Sequence, residues 1–355
     1  MVSMRLIPFL TVIFFFVTLI VPAAATEQAR ITDMFANGDV CEVTIGFSDD
    51  LHNVTLRYDL MLNDRSIDSK VVELGYVPTG NVTRIVFWDS YLEKNLYVFE
   101  VSVFVDGKLA DSRQTEFIYG NQALLEFKVA GFNSDNKRAA VVISPNNIYS
   151  PSIVDLTFEI FEENELLYSA TFMDVPVIQA MEKNIKWPVL LDNGRKYVTV
   201  LKVRSHGSDI TSAYISIFMA EQDVEIMADD VELDEYGASI TLKGMSQVPF
   251  YGKVGVTLSN NATNIYFEEE SDVLTLNKED TVGFLWEDIP PGNYTVEIRV
   301  INNEGKILDS YETAVRIREL PPVPPEQTKG LPGPGVIGNI AALLAVFFLL
   351  RINRR

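Results

Sequence analysis

The chain's three tryptophans stand at Trp88, Trp187 and Trp286, two equal steps of 99 residues. A tyrosine follows each of them, at Tyr97, Tyr197 and Tyr294. From each tyrosine the side chains alternate: Tyr97, Phe99, Val101 and Val103; then Tyr197, Thr199, Leu201 and Val203; then Tyr294, Val296, Ile298 and Val300. Alternation of period two is the mark of a strand with one buried face. Asp106-Gly107, His206-Gly207 and Glu304-Gly305 close the three runs, and Ser112, Ser212 and Ser310 stand five residues after each glycine. Glycine in such a turn supplies the positive φ that a hairpin requires. A register shared by four residue types over three copies means one structural unit used three times.

The rest of each unit reads as further short strands. They are Cys41 to Phe47, Val54 to Leu62 and Val71 to Leu74, then Ala139 to Ile143 and Ile153 to Phe161, then Ser239 to Leu242, Lys253 to Leu258 and Asp272 to Leu276. Turn residues separate them, and no long 3.6-residue period runs between the two ends of the chain. About seven short strands in about 100 residues is the size of an immunoglobulin-like sandwich, and such a unit can fold alone. The expectation is an all-β chain of three tandem immunoglobulin-like β-sandwiches at 26–119, 120–221 and 222–319, with a signal helix before them and a hydrophobic helix after them. The aromatic residues that recur at one register are expected in the cores.

Ile289-Pro290-Pro291-Gly292-Asn293-Tyr294 resembles the corner before strand F of fibronectin type III and related domains. That resemblance implies a tyrosine hydroxyl bonded back to the backbone across the turn. Leu92 to Tyr97 and Leu191 to Tyr197 are looser versions without the Pro-Gly. The array is similar to the immunoglobulin-like modules strung along archaeal and bacterial surface proteins.

Both ends read as export and anchoring segments. Arg5, the apolar run Leu6 to Val21 and the small residues Ala23-Ala24-Ala25 form a secretory signal over 1–25, with Thr26 as the first mature residue. An uncleaved anchor is the other reading of that run. Residues 320–335 form a linker with six prolines between Pro321 and Gly335, which favours an extended, semi-rigid spacer. Val336 to Leu350 is apolar except for Asn339, and Arg351, Arg354 and Arg355 close the chain. A helix of this length spans about 22 Å against a hydrocarbon core of about 30 Å, so the span is short. The terminal arginines favour an inside tail and an outside ectodomain. A Pro/Gly motif, an apolar helix and a basic terminus together resemble the archaeal Pro-Gly-Phe sorting signal read by archaeosortases, with Pro334-Gly335 as the matching residues and Val336 where that family has Phe. The resemblance implies removal of the tail and attachment to a lipid. A plain single-pass anchor over 336–355 is the other reading.

Charge and composition exclude several functions. With 29 Lys+Arg against 49 Asp+Glu the formal net charge is −20, and a chain so acidic repels nucleic-acid backbones. One cysteine excludes an internal disulfide framework and a Cys-rich zinc site, and two histidines leave little for a His-based centre. Cys41 alternates with Val43, Ile45 and Phe47 and is expected in the core as a structural thiol. The acidic clusters Asp229-Asp230, Glu232, Asp234-Glu235 and Glu268-Glu269-Glu270 lack the spacing of a calcium loop and read as solvated faces. His52 and His206 fall in turns without a partner motif. No nucleophile elbow, phosphate loop or catalytic carboxylate pair is present, so neither an enzyme nor a cofactor or metal site is expected. The sequons at Asn53, Asn81, Asn261 and Asn293, in or beside expected turns, are candidate N-glycosylation sites.

The reading is an exported protein on the outer face of the cytoplasmic membrane, held by its C-terminus. Its role would be structural or adhesive, as an envelope spacer or a binder of envelope proteins or glycans. The alternative is a ligand-binding ectodomain or accessory subunit of a membrane complex. A cluster of buried polar residues on one repeat alone would favour that alternative.

Overall fold

The computed structural model describes residues 28–120, 125–147, 149–207 and 210–318. The signal segment, the proline-rich linker, Pro334-Gly335 and the C-terminal hydrophobic segment lie outside these residues. Among the described residues every regular element is a strand, and no helix there is long and apolar enough to cross a membrane.

The strands fall into three sets of seven. The first set is β1 (Ala29–Ala36), β2 (Cys41–Phe47), β3 (Leu51–Leu62), β4 (Arg65–Val77), β5 (Gly80–Val86), β6 (Asn95–Val105) and β7 (Lys108–Tyr119). The second is β8 (Phe127–Ser134), β9 (Arg138–Pro145), β10 (Ser152–Glu162), β11 (Glu165–Val177), β12 (Met181–Lys186), β13 (Lys196–Ser205) and β14 (Thr211–Met219). The third is β15 (Val224–Leu233), β16 (Gly237–Gly244), β17 (Gly252–Ser259), β18 (Asn264–Glu270), β19 (Glu279–Leu285), β20 (Gly292–Asn302) and β21 (Ile307–Ile317). Each set pairs its first, second and fifth strands in one sheet, and its fourth, third, sixth and seventh strands, in that order, in another. The ladders are antiparallel.

The alternation read from the sequence is the packing. Tyr97, Phe99, Val101 and Val103 of β6 are buried, as are Tyr197, Thr199, Leu201 and Val203 of β13 and Tyr294, Val296, Ile298 and Val300 of β20. The three tyrosines cap equivalent corners. Tyr97 donates to Glu93 O at 2.9 Å, Tyr197 accepts from Asp192 N at 2.9 Å, and Tyr294 donates to Pro290 O at 2.8 Å. Cys41 is buried, and burial pushes its thiol up to about 12.

The tryptophans depart from the expectation of equal core residues. Each follows the fifth strand of its set by one or two positions, but only Trp187 is fully buried. Trp88 is half-buried and donates Nε1–H to Cys41 Sγ at 3.2 Å. Trp286 is also half-buried and leans on Phe267 with ring centroids 5.0 Å apart. One further strand expectation is corrected. The run Asp272 to Leu276 is not a strand but a link held by the Phe250–Leu274 bridge, and the fourth strand of the third set is instead β18, which carries the acidic run Glu268-Glu269-Glu270. Gly107 and Gly305 take the expected positive φ, of 72° and 81°, but Gly207 does not, and the hairpin tips after β3 and β10 use non-glycine pairs: Asn63-Asp64 at 49° and 61°, and Glu163-Asn164 at 46° and 71°.

The chain forms two compact units. One holds residues up to Asp223 with 244–250 and 273–278, and the other holds the rest of the described third set. The first two repeats lie within one of these units, and each keeps a hydrophobic core of its own. The first-repeat sheet β1-β2-β5 and the second-repeat sheet β11-β10-β13-β14 meet at a single bridging pair, Glu165 with Arg84. The 244–250 segment also belongs to this unit, with Val248 packed into the second repeat's core.

Candidate functional site

The junction of the first two repeats is built on strand faces that a lone sandwich would leave wet. On β13 the inward residues alternate with Val198, Val200 and Lys202, and on β10 Glu159 and Phe161 sit on the same outward face. Val200 and Phe161 are nevertheless fully buried, packed with Val40 and Ile85 of the first repeat, and Phe35 and Phe87 lie around them. The tip of the β10–β11 hairpin lands on β5. Ile85 N donates to Asn164 O at 3.0 Å, and Arg84 Nη2 meets a Glu165 carboxylate oxygen at 2.6 Å. The left-handed φ values of Glu163 and Asn164 make the tight two-residue turn that allows this approach.

Three charged side chains close the junction. Lys202 Nζ donates to both oxygens of Glu42 on β2, at 2.9 and 3.0 Å. It also lies 2.9 Å from Glu159 Oε1. The side chains of Glu42 and Glu159 are each 5% exposed and that of Lys202 is 15% exposed. Ser169 Oγ on β11 adds a long bond of 3.5 Å to Glu159 Oε1, while Glu159 Oε2 is buried without a partner. Burial first, and then the neighbouring negative charge of Glu42, pushes the Glu159 carboxyl up to about 8. Burial alone would lower Lys202, but the two glutamates outweigh it and hold the ammonium above its usual range. Buried charges are tolerated only when paired, and this triad pairs charges of two repeats.

A second polar cluster stands at one corner of the second repeat. His206 Nε2 is 2.9 Å from Asp155 Oδ1, and His206 Nδ1 is 3.6 Å from Asp174 Oδ1. Asp155 Oδ1 also accepts the Asp174 backbone N–H at 2.9 Å, and this bond, followed by His206, holds Asp155 below the usual carboxylate range. These three donors lie close enough to hold a metal ion, but as they stand they satisfy one another. The sequence around His206 carries no partner motif. The fold supplies two, from β10 and β11.

A groove of about 600 Å³ runs beside the junction, with Phe87 of the first repeat on one wall and Val198, Ile217 and Met219 of the second on the other. Arg195, which pairs with Glu163 at 2.9 Å, and Lys196 lie at its polar margin.

The residues singled out in the sequence are scattered. Asn53, Asn81, Asn261 and Asn293 are all exposed. Only Asn261 sits in a turn outside the strands, whereas Asn53, Asn81 and Asn293 lie within β3, β5 and β20. Asn53 Nδ2 donates to Asp106 Oδ1 at 3.0 Å. His52 is exposed, with its ring 5.0 Å from that of Tyr76. In the acidic clusters Asp234 Oδ1 accepts the backbone N–H groups of Tyr236 and Gly237, and Glu268 takes Lys253 and the Tyr266 hydroxyl. The residues that sequence reasoning missed are Glu42, Glu159 and Lys202. The signal that could have found them is in β13 and β10: valines on both faces of Val198–Val203, and a lone acid inside Phe158-Glu159-Ile160-Phe161, mark strands covered on both sides.

No family model matches the chain, and no curated protein matches it. Among solved structures it is similar to a tetra-tandem repeat in the extending region of a large adhesion protein, at 14% identity and a TM-score of 0.24, covering 81% of this chain and 73% of that one. It is similar also to the FN1-FN3 domains of chicken CNTN1, at 12% identity and a TM-score of 0.23, covering 82% and 97%. A transglutaminase of red sea bream matches at 8% identity and a TM-score of 0.27 over 56% of this chain and 32% of that one. Likenesses this weak carry no weight for function.

Proposed function

We propose that the chain is an exported, membrane-attached cell-surface protein with a structural or adhesive role, a spacer built from three tandem immunoglobulin-like sandwiches with the strand order of fibronectin type III modules. The observation that carries this reading is the packed junction of the first two repeats, with its buried ion triad. Flexible tethering needs no packed junction and no buried ion triad, whereas a module that bears load or holds a fixed span gains from both. The signal-like start, the proline-rich stalk and the basic C-terminal end fit the same role, as do the four exposed sequon asparagines on an exported chain. Envelope proteins or glycans are the partners proposed, engaged through loops and strand edges.

The second reading, a ligand-binding ectodomain or accessory subunit of a membrane complex, is favoured by one observation, the mixed apolar and charged groove beside the junction. Three measurements decide between these readings and their alternatives. Protease shaving of intact native cells should release fragments of 26–318, and protection of that region would reject the surface location. Intact-mass analysis of the membrane-attached form should show a mature protein lacking its last ~20 residues, as removal of a sorting tail requires. Recovery of the Arg351–Arg355 end would reject that processing and leave a plain anchor. Pull-down with the ectodomain that yields one stoichiometric membrane complex would favour the accessory-subunit reading.

A further inference from the structure

The charges at the junction of the first two repeats do not balance. Two carboxyl groups, Glu42 and Glu159, face one ammonium, Lys202, in a space walled by Val40, Ile85, Phe161 and Val200. Around them, Ser169 on β11 reaches Glu159, the Phe35 ring on β1 lies 6.0 Å from Lys202 Nζ, and Arg84 on β5 is paired with Glu165 on β11. With all three members ionised, the junction would bury a net negative charge. It would also leave Glu159 Oε2 as a buried anionic oxygen without a donor. A proton on Glu159 removes the net charge, turns the anionic oxygen into a hydroxyl that the neighbouring Glu42 carboxylate can accept, and keeps Oε1 as the acceptor for Lys202. When the junction opens, Glu159 returns to water, where a carboxylate needs no proton.

We infer that the junction is a proton-linked clamp: the two repeats are locked together while Glu159 carries a proton, and the lock weakens as that proton leaves. The closed form binds one proton more than the open form wherever pH lies between the ordinary carboxylate value of 4.5 and the raised value of about 8. Closure is therefore strongest below 4.5, weakens as pH rises toward about 8, and is level above it. One proton corresponds to about a tenfold rise in the opening constant per pH unit across that window. The clamp needs no ligand and is independent of how the chain is anchored.

The test is amide hydrogen exchange on the full chain at pH 5 to 9, with each rate divided by the intrinsic rate at the same pH. Protection of the β5 and β11 segments should fall about tenfold per unit toward pH 8 and then level. Protection of β17 in the third repeat should hold constant. Glu159→Gln keeps an acceptor for Lys202 and cannot ionise, so its β5 and β11 protection should be flat with pH. Glu42→Gln removes the charge that pushes Glu159 up, so the fall should end at lower pH. Constant wild-type protection, or an equal pH response in Glu159→Gln, would overturn the clamp. Should Glu159→Gln not fold, an unmoved window in Glu42→Gln would overturn it equally.

Discussion

Replacing Lys202 by methionine tests whether the triad holds the first compact unit together. Methionine keeps the length and most of the apolar contact of the lysine stem but removes the ammonium that bonds both oxygens of Glu42 and one of Glu159. The two carboxyls then face each other with side-chain exposures of 5% each. Breaking a buried pair by removing one partner costs about 3–5 kcal/mol, because the charge left behind stays unpaired. One of the two carboxyls can take up a proton, which places the expected cost near the lower end at pH 6 and higher at pH 8. In a cooperative body of this size each kcal/mol moves the midpoint by about 2–4 °C, so the transition of the first unit should drop by roughly 6–20 °C in differential scanning calorimetry. The transition of the second unit should not move. A drop below 1 °C, or an equal drop in both transitions, would refute the reasoning. A companion triple variant, Glu42→Met, Glu159→Leu and Lys202→Met, should recover most of the loss, since well-packed apolar groups can replace a buried ion cluster at little cost.

Trp187→Ala should cost about 3–5 kcal/mol as a fully buried aromatic truncation, while the half-buried Trp286→Ala should cost clearly less; urea melts of the two variants measure the difference. Tyr294→Phe removes the bond to Pro290 O and should destabilise the second unit by about 1 kcal/mol in the same melts. Cys41 should resist iodoacetamide at pH 8 in the folded chain, because burial pushes its thiol up to about 12, and should react at once in denaturant. Rapid labelling of the native protein would contradict the core placement.

Local pattern reached far into this fold. The alternation after Tyr97, Tyr197 and Tyr294 gave the inward face of β6, β13 and β20 residue by residue, because a strand's two faces are dictated by its period alone. Cys41 was legible for the same reason. The corner motif, strong only at Pro290-Pro291-Gly292, marked a tyrosine bond that all three repeats make. Strand identity was less legible where charge hid it. Glu268-Glu269-Glu270 read as a solvated cluster, yet those residues complete β18, since an exposed edge strand accepts acidic side chains on its outer face. The turns at Asn63-Asp64 and Glu163-Asn164 carry no glycine, so their left-handed backbone left only the weaker signal of Asn and Asp.

The sequence by itself determined the repeat, its strand periods and the buried face of each sixth strand, because all of these depend on residues near one another along the chain. The tertiary structure alone decided that the first two repeats pack against each other, that β10 and β13 are covered on both faces, and that His206 meets Asp155 and Asp174. It alone brought Glu42 to Lys202 across 160 positions of chain. The physical reason is that a charged residue on an alternating strand looks the same whether it faces water or a partner. What separates the two cases is the surface packed against it, and that surface comes from another part of the chain.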